Sequence, residues 1–347
     1  MAKIAGVSAS TVSNVVNGRH ERMRAETRDR VLKAIQQLNY TPNVVARQLK
    51  SGQNRTIGLI VPSVANPFWG SVAHHVERAA IAQSYQVLVC NAERDPVIEA
   101  RYAESLLGSG VHGVILASSP LSFAHLRGLA ERGLKIAAFD RSSRDAGGIV
   151  ACSVSVDQEL GGMLAGQHLI GLGHKRIALV SGPIRTSNRV GRLNGLRTAM
   201  ARAGLTLEDE MIWQGGGVSG FGDTDSAELG RIGVRELLSR DRPPTAIAAV
   251  NDMYALGAYA GARDLGYRVP QDLSIVGFDD IVLSEIVHPA LTTIRQPVQV
   301  MAEKAVRSLI LNLEGKASES GQTHIDIKPQ LIVRGSTAPP PTGGAQS

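Results

Sequence analysis

Residues 5–18 read Ala5-Gly6-Val7-Ser8-Ala9-Ser10-Thr11-Val12-Ser13-Asn14-Val15-Val16-Asn17-Gly18, and this stretch decides how the chain is organised. Residues 2–5 look like the end of one helix, and Gly6 supplies the positive-φ residue that stops it. Ser8 is a good N-cap for a second helix over residues 9–17, which Gly18 ends. On that helix Val12, Val15 and Val16 share one face and can pack inward, leaving Ala9, Ser10 and Asn14 on the other. A small polar face near a helix N-terminus is shaped to enter a major groove, so the stretch reads as the second half of a helix-turn-helix. An ordinary helical pair within an enzyme is the competing reading of these residues taken alone.

Charge distribution favours the first reading. Residues 1–55 hold ten Lys or Arg against three acids, whereas residues 56–347 hold 27 against 28. The whole positive excess sits in the first sixth of the chain, as expected for a polyanion-binding head on a neutral body. No apolar run approaches the ~18–20 residues of a membrane span. No apolar h-region precedes Arg19, so a cytoplasmic location is expected. Cys90 and Cys152 are isolated at the ends of strand-like runs and read as lone thiols, with no partners at metal-ligand spacing.

A third helix is expected over residues 25–39, where Val31, Leu32, Ile35 and Leu38 recur at helical spacing and would close a three-helix core. Pro42 then breaks the helix and Asn43 can cap a short new one running through Ala46, Arg47, Leu49 and Lys50. Eight or so helical residues fall below the ~12–15 that an isolated helix needs, so this segment is expected to fold only when something holds it.

From Thr56 strands alternate with helices. Strand-like runs fall at 56–62, 86–91, 113–117, 135–140, 153–157, 176–181, 245–251 and 273–279, with amphipathic helices such as 72–84, 98–108, 158–172 and 253–265 between them. The runs are nearly all apolar, as in parallel strands covered on both faces. They are too many for one compact sheet. The expected fold class is α/β, a small all-α helix-turn-helix head followed by two doubly wound parallel-sheet lobes. The last runs, 291–296 and 324–333, surround a helix at 298–313, and the Pro- and Gly-rich tail from Ala338 reads as disordered.

These motifs together resemble the lactose-repressor/galactose-repressor (LacI/GalR) family of bacterial transcription factors. The resemblance spans residues 2 to about 336. It rests on Ala5-Gly6-Val7-Ser8 with Thr11-Val12-Ser13 and Asn17-Gly18, on Glu26-Thr27-Arg28, and on Leu38-Asn39-Tyr40-Thr41-Pro42-Asn43 with Ala46-Arg47. It continues through Ile57-Gly58-Leu59-Ile60, Asn66-Pro67-Phe68, Gly171-Leu172-Gly173-His174 and Arg192-Leu193-Asn194-Gly195. Asn251-Asp252 with Gly257, Val269-Pro270, Gly277-Phe278-Asp279-Asp280 and Leu291-Thr292-Thr293-Ile294 complete it. The family pattern opens several residues earlier, so the first helix is expected to be clipped at Met1.

The resemblance implies a head at 1–42, a hinge helix and linker at 43–55, and an effector-binding and dimerisation domain at 56–337 of periplasmic-binding-protein-like fold, before a tail at 338–347. Lobe 1 is expected over about 56–157 and 291–320, and lobe 2 over about 158–290 and 321–337. Ala9, Ser10 and Asn14 match positions that face base edges, and Thr11 and Ser13 match hydroxyls that reach phosphates. Leu49 matches a residue that wedges into the minor groove, flanked by Asn43 and Arg47. Ser8, Asn17, Tyr40, Ala46 and Lys50 complete the expected DNA-binding set.

Ligands of doubly wound sheets bind at the carboxyl ends of the strands. Those ends carry Asn66, Phe68, Trp69, Asp140, Arg141, Arg192, Phe221, Asn251, Asp279 and Gln296. Carboxylates, guanidinium groups and amides set among aromatic rings suit a small polyhydroxylated ligand, and the set resembles that of ribose-type periplasmic binding proteins. Asp157 and Asp252 read more readily as structural caps. The expected molecule is a homodimeric, sequence-specific regulator, a repressor, that binds a palindromic double-stranded operator under control of a monosaccharide effector. No cofactor and no membrane partner are expected. The alternatives are a sugar-binding module with no role on DNA and a regulator with a purine-type co-repressor. Enzyme signals are weak. The run 215–220 has the spacing of a dinucleotide fingerprint without its strand–helix setting, and neighbouring Asp279 and Asp280 point apart.

Overall fold

The computed structural model of the chain describes residues 1–16, 23–38, 54–141, 148–215, 225–317 and 323–341. They divide into two units, Met1–Asn54 and Arg55–Ser347.

The first unit holds α1 (Ala2–Ala5), α2 (Ala9–Val16) and α3 (Ala25–Gln37). Gly6 ends α1 with φ of 61°. The Ser8 hydroxyl accepts the Thr11 amide at 3.1 Å and so caps α2. The core is small: Ala5, Val15, Val31 and Ala34 are buried, with Val7, Val12, Met23 and Ile35 packed against them. Leu32 and Leu38, expected in this core, are instead 43% and 46% exposed. Val31, Ala34 and Ile35 form one stripe at i, i+3 and i+4, and Leu32 lies roughly 100° off it. Leu38 is the C-cap of α3, beyond the last turn that faces the core. Asn17, Tyr40, Asn43, Ala46, Arg47, Leu49 and Lys50, and with them the expected hinge helix, lie outside the described residues.

The second unit begins β1 (Thr56–Val61), α4 (Pro67–Ala82), β2 (Gln86–Asn91), α5 (Pro96–Gly108), β3 (Gly113–Leu116), α6 (Arg127–Glu131), β4 (Lys135–Phe139) and β5 (Cys152–Val156). It continues α7 (Gln158–Gly171), β6 (Ile177–Val180), α8 (Ser187–Arg202), β7 (Ile212–Trp213), α9 (Ser226–Leu238), β8 (Ala246–Ala249), α10 (Asp252–Asp264) and β9 (Ser274–Asp279). It ends α11 (Leu283–Ile286), β10 (Thr292–Arg295), α12 (Val298–Leu313), β11 (Thr323–Ile327) and β12 (Gln330–Ile332).

Two six-stranded sheets result, with orders β11-β5-β4-β3-β1-β2 and β12-β10-β9-β8-β6-β7. Every pairing is parallel except β10 with β12. In lobe 1, Ile57, Leu59 and Val61 face one core with Met301 and Leu309 of α12, while Ile60 faces a second core with Leu106 of α5. Strands buried on both faces account for the unbroken apolar runs except at β2, an edge strand whose Leu88 and Val89 are 48% and 44% exposed.

The expected lobe limits are corrected. Residues 292–295 belong to lobe 2, where β10 lies beside β9. Residues 323–327 belong to lobe 1, where β11 lies beside β5. The run at 324–333 is therefore two strands in two sheets, since hydrophobic pattern reports burial and not which sheet a strand joins. The chain crosses between lobes three times, after β5 at Asp157, after β10 at Gln296-Pro297, and between β11 and β12 at Lys328-Pro329.

The tail is also corrected in part. The Ala338 amide donates to the Ser274 hydroxyl at 3.0 Å, and its carbonyl lies 2.9 Å from Nε2 of buried His174. Residues 338–341 are thus tied to lobe 2, and 342–347 lie outside the described residues.

Candidate functional site

Helices α7 and α8 carry the central side chain. A Cβ on Gly195 would stand 2.0 Å from the Glu159 carbonyl, and one on Gly162 2.1 Å from the Arg192 carbonyl. Only glycine permits this approach, which seats the backbone of Arg192 against α7. Its guanidinium reaches the carboxyl ends of the lobe 2 strands. Nε donates to the Gln158 side-chain carbonyl at 2.8 Å, and Nη1 donates to the Val250 carbonyl at 2.5 Å. Nη2 stands 3.6 Å from an Asp279 oxygen, and the group lies 3.5 Å above the centre of the Phe278 ring. Asp279 also accepts from the Gln296 amide at 2.7 Å.

Lobe 1 supplies the other acid. Asp140 follows β4 with φ of 59°. Its carboxylate accepts from Asn188 at 3.2 Å and from the Gln158 amide. Around this centre stand Asn66, whose side chain caps α4 by accepting the Phe68 amide at 3.0 Å, and Asn251, which caps α10 through the Tyr254 amide at 3.0 Å. Phe68 and Trp69 meet edge to face with centroids 4.8 Å apart.

Seven expected residues thus line one cavity between the lobes: Asn66, Phe68, Trp69, Asp140, Arg192, Asn251 and Asp279. Gln296 joins through Asp279. Arg141 does not line this cavity. It donates to the Leu121 carbonyl at 2.8 Å and lies over the Phe123 ring at 4.4 Å. Phe221 lies outside the described residues. Arg94, Asn188 and Arg189 line the cavity without having been expected. Arg94 stands just beyond the end of β2, so the strand-end rule carried through to that strand finds it. The two asparagines 188 and 251 and Arg189 open helices that begin after strands β6 and β8.

Burial pushes the carboxyls of Asp140 and Asp279 above the usual range, opposed by Arg192 and by the amide donors. Burial likewise lowers the pKa of Arg192, which the two acids oppose. A guanidinium stays charged in proteins, so Arg192 is a buried cation that acts on both acids, with Arg94 as a second cation acting on Asp140. The cavity holds about 20 Å³, close to one water and far below the several hundred Å³ of an ordinary ligand pocket. A sugar ring enters only if the lobes part. They are fastened at one edge by a bridge between Pro120 and Thr186 and by the Ser187 amide donating to the Ser119 carbonyl at 3.2 Å.

Asp252 stands beside this centre and belongs to the scaffold. It accepts from Thr293 at 2.5 Å, from the Ile281 amide at 2.9 Å and from Ser284 at 2.7 Å. Asp157 caps α7 through the Leu160 amide at 2.8 Å. Cys152 is buried, which pushes its thiol up to about 12. Among the described residues no group of three His, Cys, Asp or Glu is placed to hold a metal ion, and no helix is long and apolar enough to cross a membrane.

In the first unit the exposed edge of α2 carries Ser8, Ala9, Ser10 and Asn14, with Thr11 and Ser13 half-buried. The Ser8 hydroxyl lies 2.8 Å from those of Ser10 and Thr11. The face bears hydroxyls and one amide and no charge, so what it meets is selected by hydrogen bonding.

Residues 1–43 match the family described as bacterial regulatory proteins, lacI family, and residues 166–337 match a periplasmic binding protein-like domain. The chain is similar to the HTH-type transcriptional regulator DegA of Bacillus subtilis (strain 168), at 35% identity over 98% of this chain and 97% of that one. It superposes with a TM-score of 0.83 on the lac repressor dimer bound to operator and the anti-inducer ONPF, at 30% identity and covering 97% of each chain. A lacI-family regulator from Enterococcus faecium with bound ribose gives a TM-score of 0.70 at 28% identity, covering 82% of this chain and 99% of that one. With one regulator matched over nearly its whole length and another in both sequence and fold, the chain belongs to the lacI family of HTH-type bacterial transcriptional regulators.

Proposed function

We propose that the chain is a cytoplasmic repressor which binds a palindromic operator as a homodimer and is released or retained there by a monosaccharide-class effector. The reading of the effector rests on one observation: two buried acids, one from each lobe, stand in one cavity with Arg192, which lies 3.6 Å from Asp279 and acts on Asp140 through its charge. Paired acceptors and donors of this kind suit adjacent hydroxyls, and Trp69 and Phe68 bring apolar surface to the cavity lining for a ring's C–H bonds. The ribose-bound and operator-bound relatives support the same reading. A purine wants a ring sandwich, whereas Phe68 and Trp69 meet edge to face and Arg192 already covers Phe278. Among the described residues lining the cavity no group is posed as a nucleophile with its base, so a binding role without turnover is favoured.

The effector set is Asn66, Phe68, Trp69, Asp140, Arg192, Asn251, Asp279 and Gln296, joined by Arg94, Asn188 and Arg189. Phe221 is proposed on resemblance alone. Ser8, Ala9, Ser10, Thr11, Ser13 and Asn14 form the described part of the DNA face, and Asn17, Tyr40, Asn43, Ala46, Arg47, Leu49 and Lys50 are proposed to complete it. An effector bound between the lobes shifts their equilibrium, and the shift changes operator affinity by its difference in affinity for the two arrangements. A gel-shift titration on the chain's own upstream DNA, repeated with rising salt and with a panel of pentoses and hexoses, tests both halves. Retardation that weakens steeply with salt and responds to one sugar is expected. Retardation with no response to any sugar overturns the effector reading alone.

A further inference from the structure

Helix α2 carries no charged side chain. Its sequence, Ala9-Ser10-Thr11-Val12-Ser13-Asn14-Val15-Val16, holds no Lys, Arg, Asp or Glu. Val15 is buried and Val12 packs against the small core, which turns Ala9, Ser10 and Asn14 outward as exposed residues. The hydroxyls of Ser10 and Thr11 both lie 2.8 Å from that of Ser8. Among the described residues nothing pairs with the Asn14 carboxamide, so its NH2 and its carbonyl oxygen both stand available to a partner outside the chain. Ser10 and Asn14 are one helical turn apart, roughly 6 Å along the axis and close to the ~7 Å rise of two base-pair steps.

Each base shows the major groove its own pattern of groups. Guanine presents two acceptors, N7 and O6, which call for the paired donors of Arg or Lys, and α2 has neither. Cytosine presents a donor that suits a carboxylate, and α2 has no acid. Adenine presents an acceptor, N7, beside a donor, N6, and one carboxamide matches both. Set against guanine, the same carboxamide turns its carbonyl oxygen to O6, acceptor against acceptor. Thymine presents a methyl group, which suits the methyl of Ala9. Ser10, able to donate or accept, rejects no base. We propose that the base pairs under α2 in each operator half-site form a short A·T block, with an adenine opposite Asn14 and a thymine methyl against Ala9, and that α2 itself reads no guanine. The inference rests on the operator-binding reading given above and names the class of sequence that α2 takes.

The test is selection from a randomised double-stranded DNA library with the full chain, run beside Asn14→Ala and Asn14→Arg. Asn14 is exposed and lies outside the small core, so neither substitution removes a packing contact there. Wild type is expected to fix an A·T pair at the position that Asn14→Ala relaxes, by roughly five- to hundredfold in competition binding, and Asn14→Arg is expected to turn that pair to G·C. Deoxyuridine in place of the block's thymine, which removes only the methyl, is expected to weaken wild type and to leave Ala9→Gly unaffected. A G·C pair at the Asn14-dependent position of the wild-type site overturns the proposal and leaves operator binding standing. So does a uniform loss of affinity with no position relaxed, which would put Asn14 on phosphate. Enrichment of no sequence by wild type overturns the operator reading and this inference with it.

Discussion

The face of α2 proposed to read DNA and the cavity between the lobes are built in opposite ways. The face of α2 is exposed, uncharged and made of small side chains over a core of four buried residues. The cavity is buried, charged and held by side chains that satisfy one another. An exposed reader can be rewritten residue by residue at little cost to its fold. A buried reader cannot, because each group is the partner of another.

Substitutions that separate the two kinds of reader differ most in what they cost the fold. Arg192→Ala leaves Asp279 buried without its ion-pair partner and takes from Asp140 the larger of its two cationic influences, and should lower unfolding stability by roughly 3 kcal/mol while removing the sugar response. Urea denaturation read beside a sugar titration checks it, and an unaltered midpoint would mean the cation does not act on the acids as described. Asp252→Asn comes next, and its effect depends on pH. Burial pushes the Asp252 carboxyl up to about 6. Its folded pKa exceeds its unfolded value near 3.9, so its stabilising contribution is complete below about pH 4 and is lost as pH rises through about 6. Wild type should therefore lose roughly 2–3 kcal/mol more than Asp252→Asn between pH 4 and pH 6.5, measured by urea unfolding at each pH.

On the exposed side the effects are smaller. Ser8→Ala removes the cap of α2 and should cost the first unit about 1 kcal/mol, seen as a lower melting temperature and weaker operator binding. Asn14→Ala should change stability by no more than about 0.5 kcal/mol. Its expected signature is relaxed discrimination at one base pair, by roughly 1–3 kcal/mol in competition gel shifts. Loss of affinity for all sequences alike would place Asn14 on phosphates instead.

Much of this was legible before any coordinates. Apolar runs bounded by turn residues marked the strands, because parallel strands buried on both faces leave no other pattern. The strand-end rule found Asp140, Asp279 and Asn251 because it follows from backbone geometry. It failed on Arg141, whose side chain turns toward Leu121 and Phe123, since side-chain direction depends on neighbours distant in sequence. Strand membership failed at 292–295 and 323–327 for the same reason: a strand's pattern does not name its partner. Gly195 closes the Arg192-Leu193-Asn194-Gly195 motif, but its purpose, room for the Glu159 carbonyl where a Cβ would stand 2.0 Å away, needs α7 and α8 in place.

The three crossings at Asp157, Gln296-Pro297 and Lys328-Pro329 have a further consequence. Three segments of chain joining the same two packed lobes resist twisting and sliding more than they resist bending. The lobes are then left with essentially one coordinate, an angle. However many hydroxyls the cavity distinguishes, everything it learns about a ligand leaves it as a single scalar, so ligands of different chemistry that set the same angle are the same message.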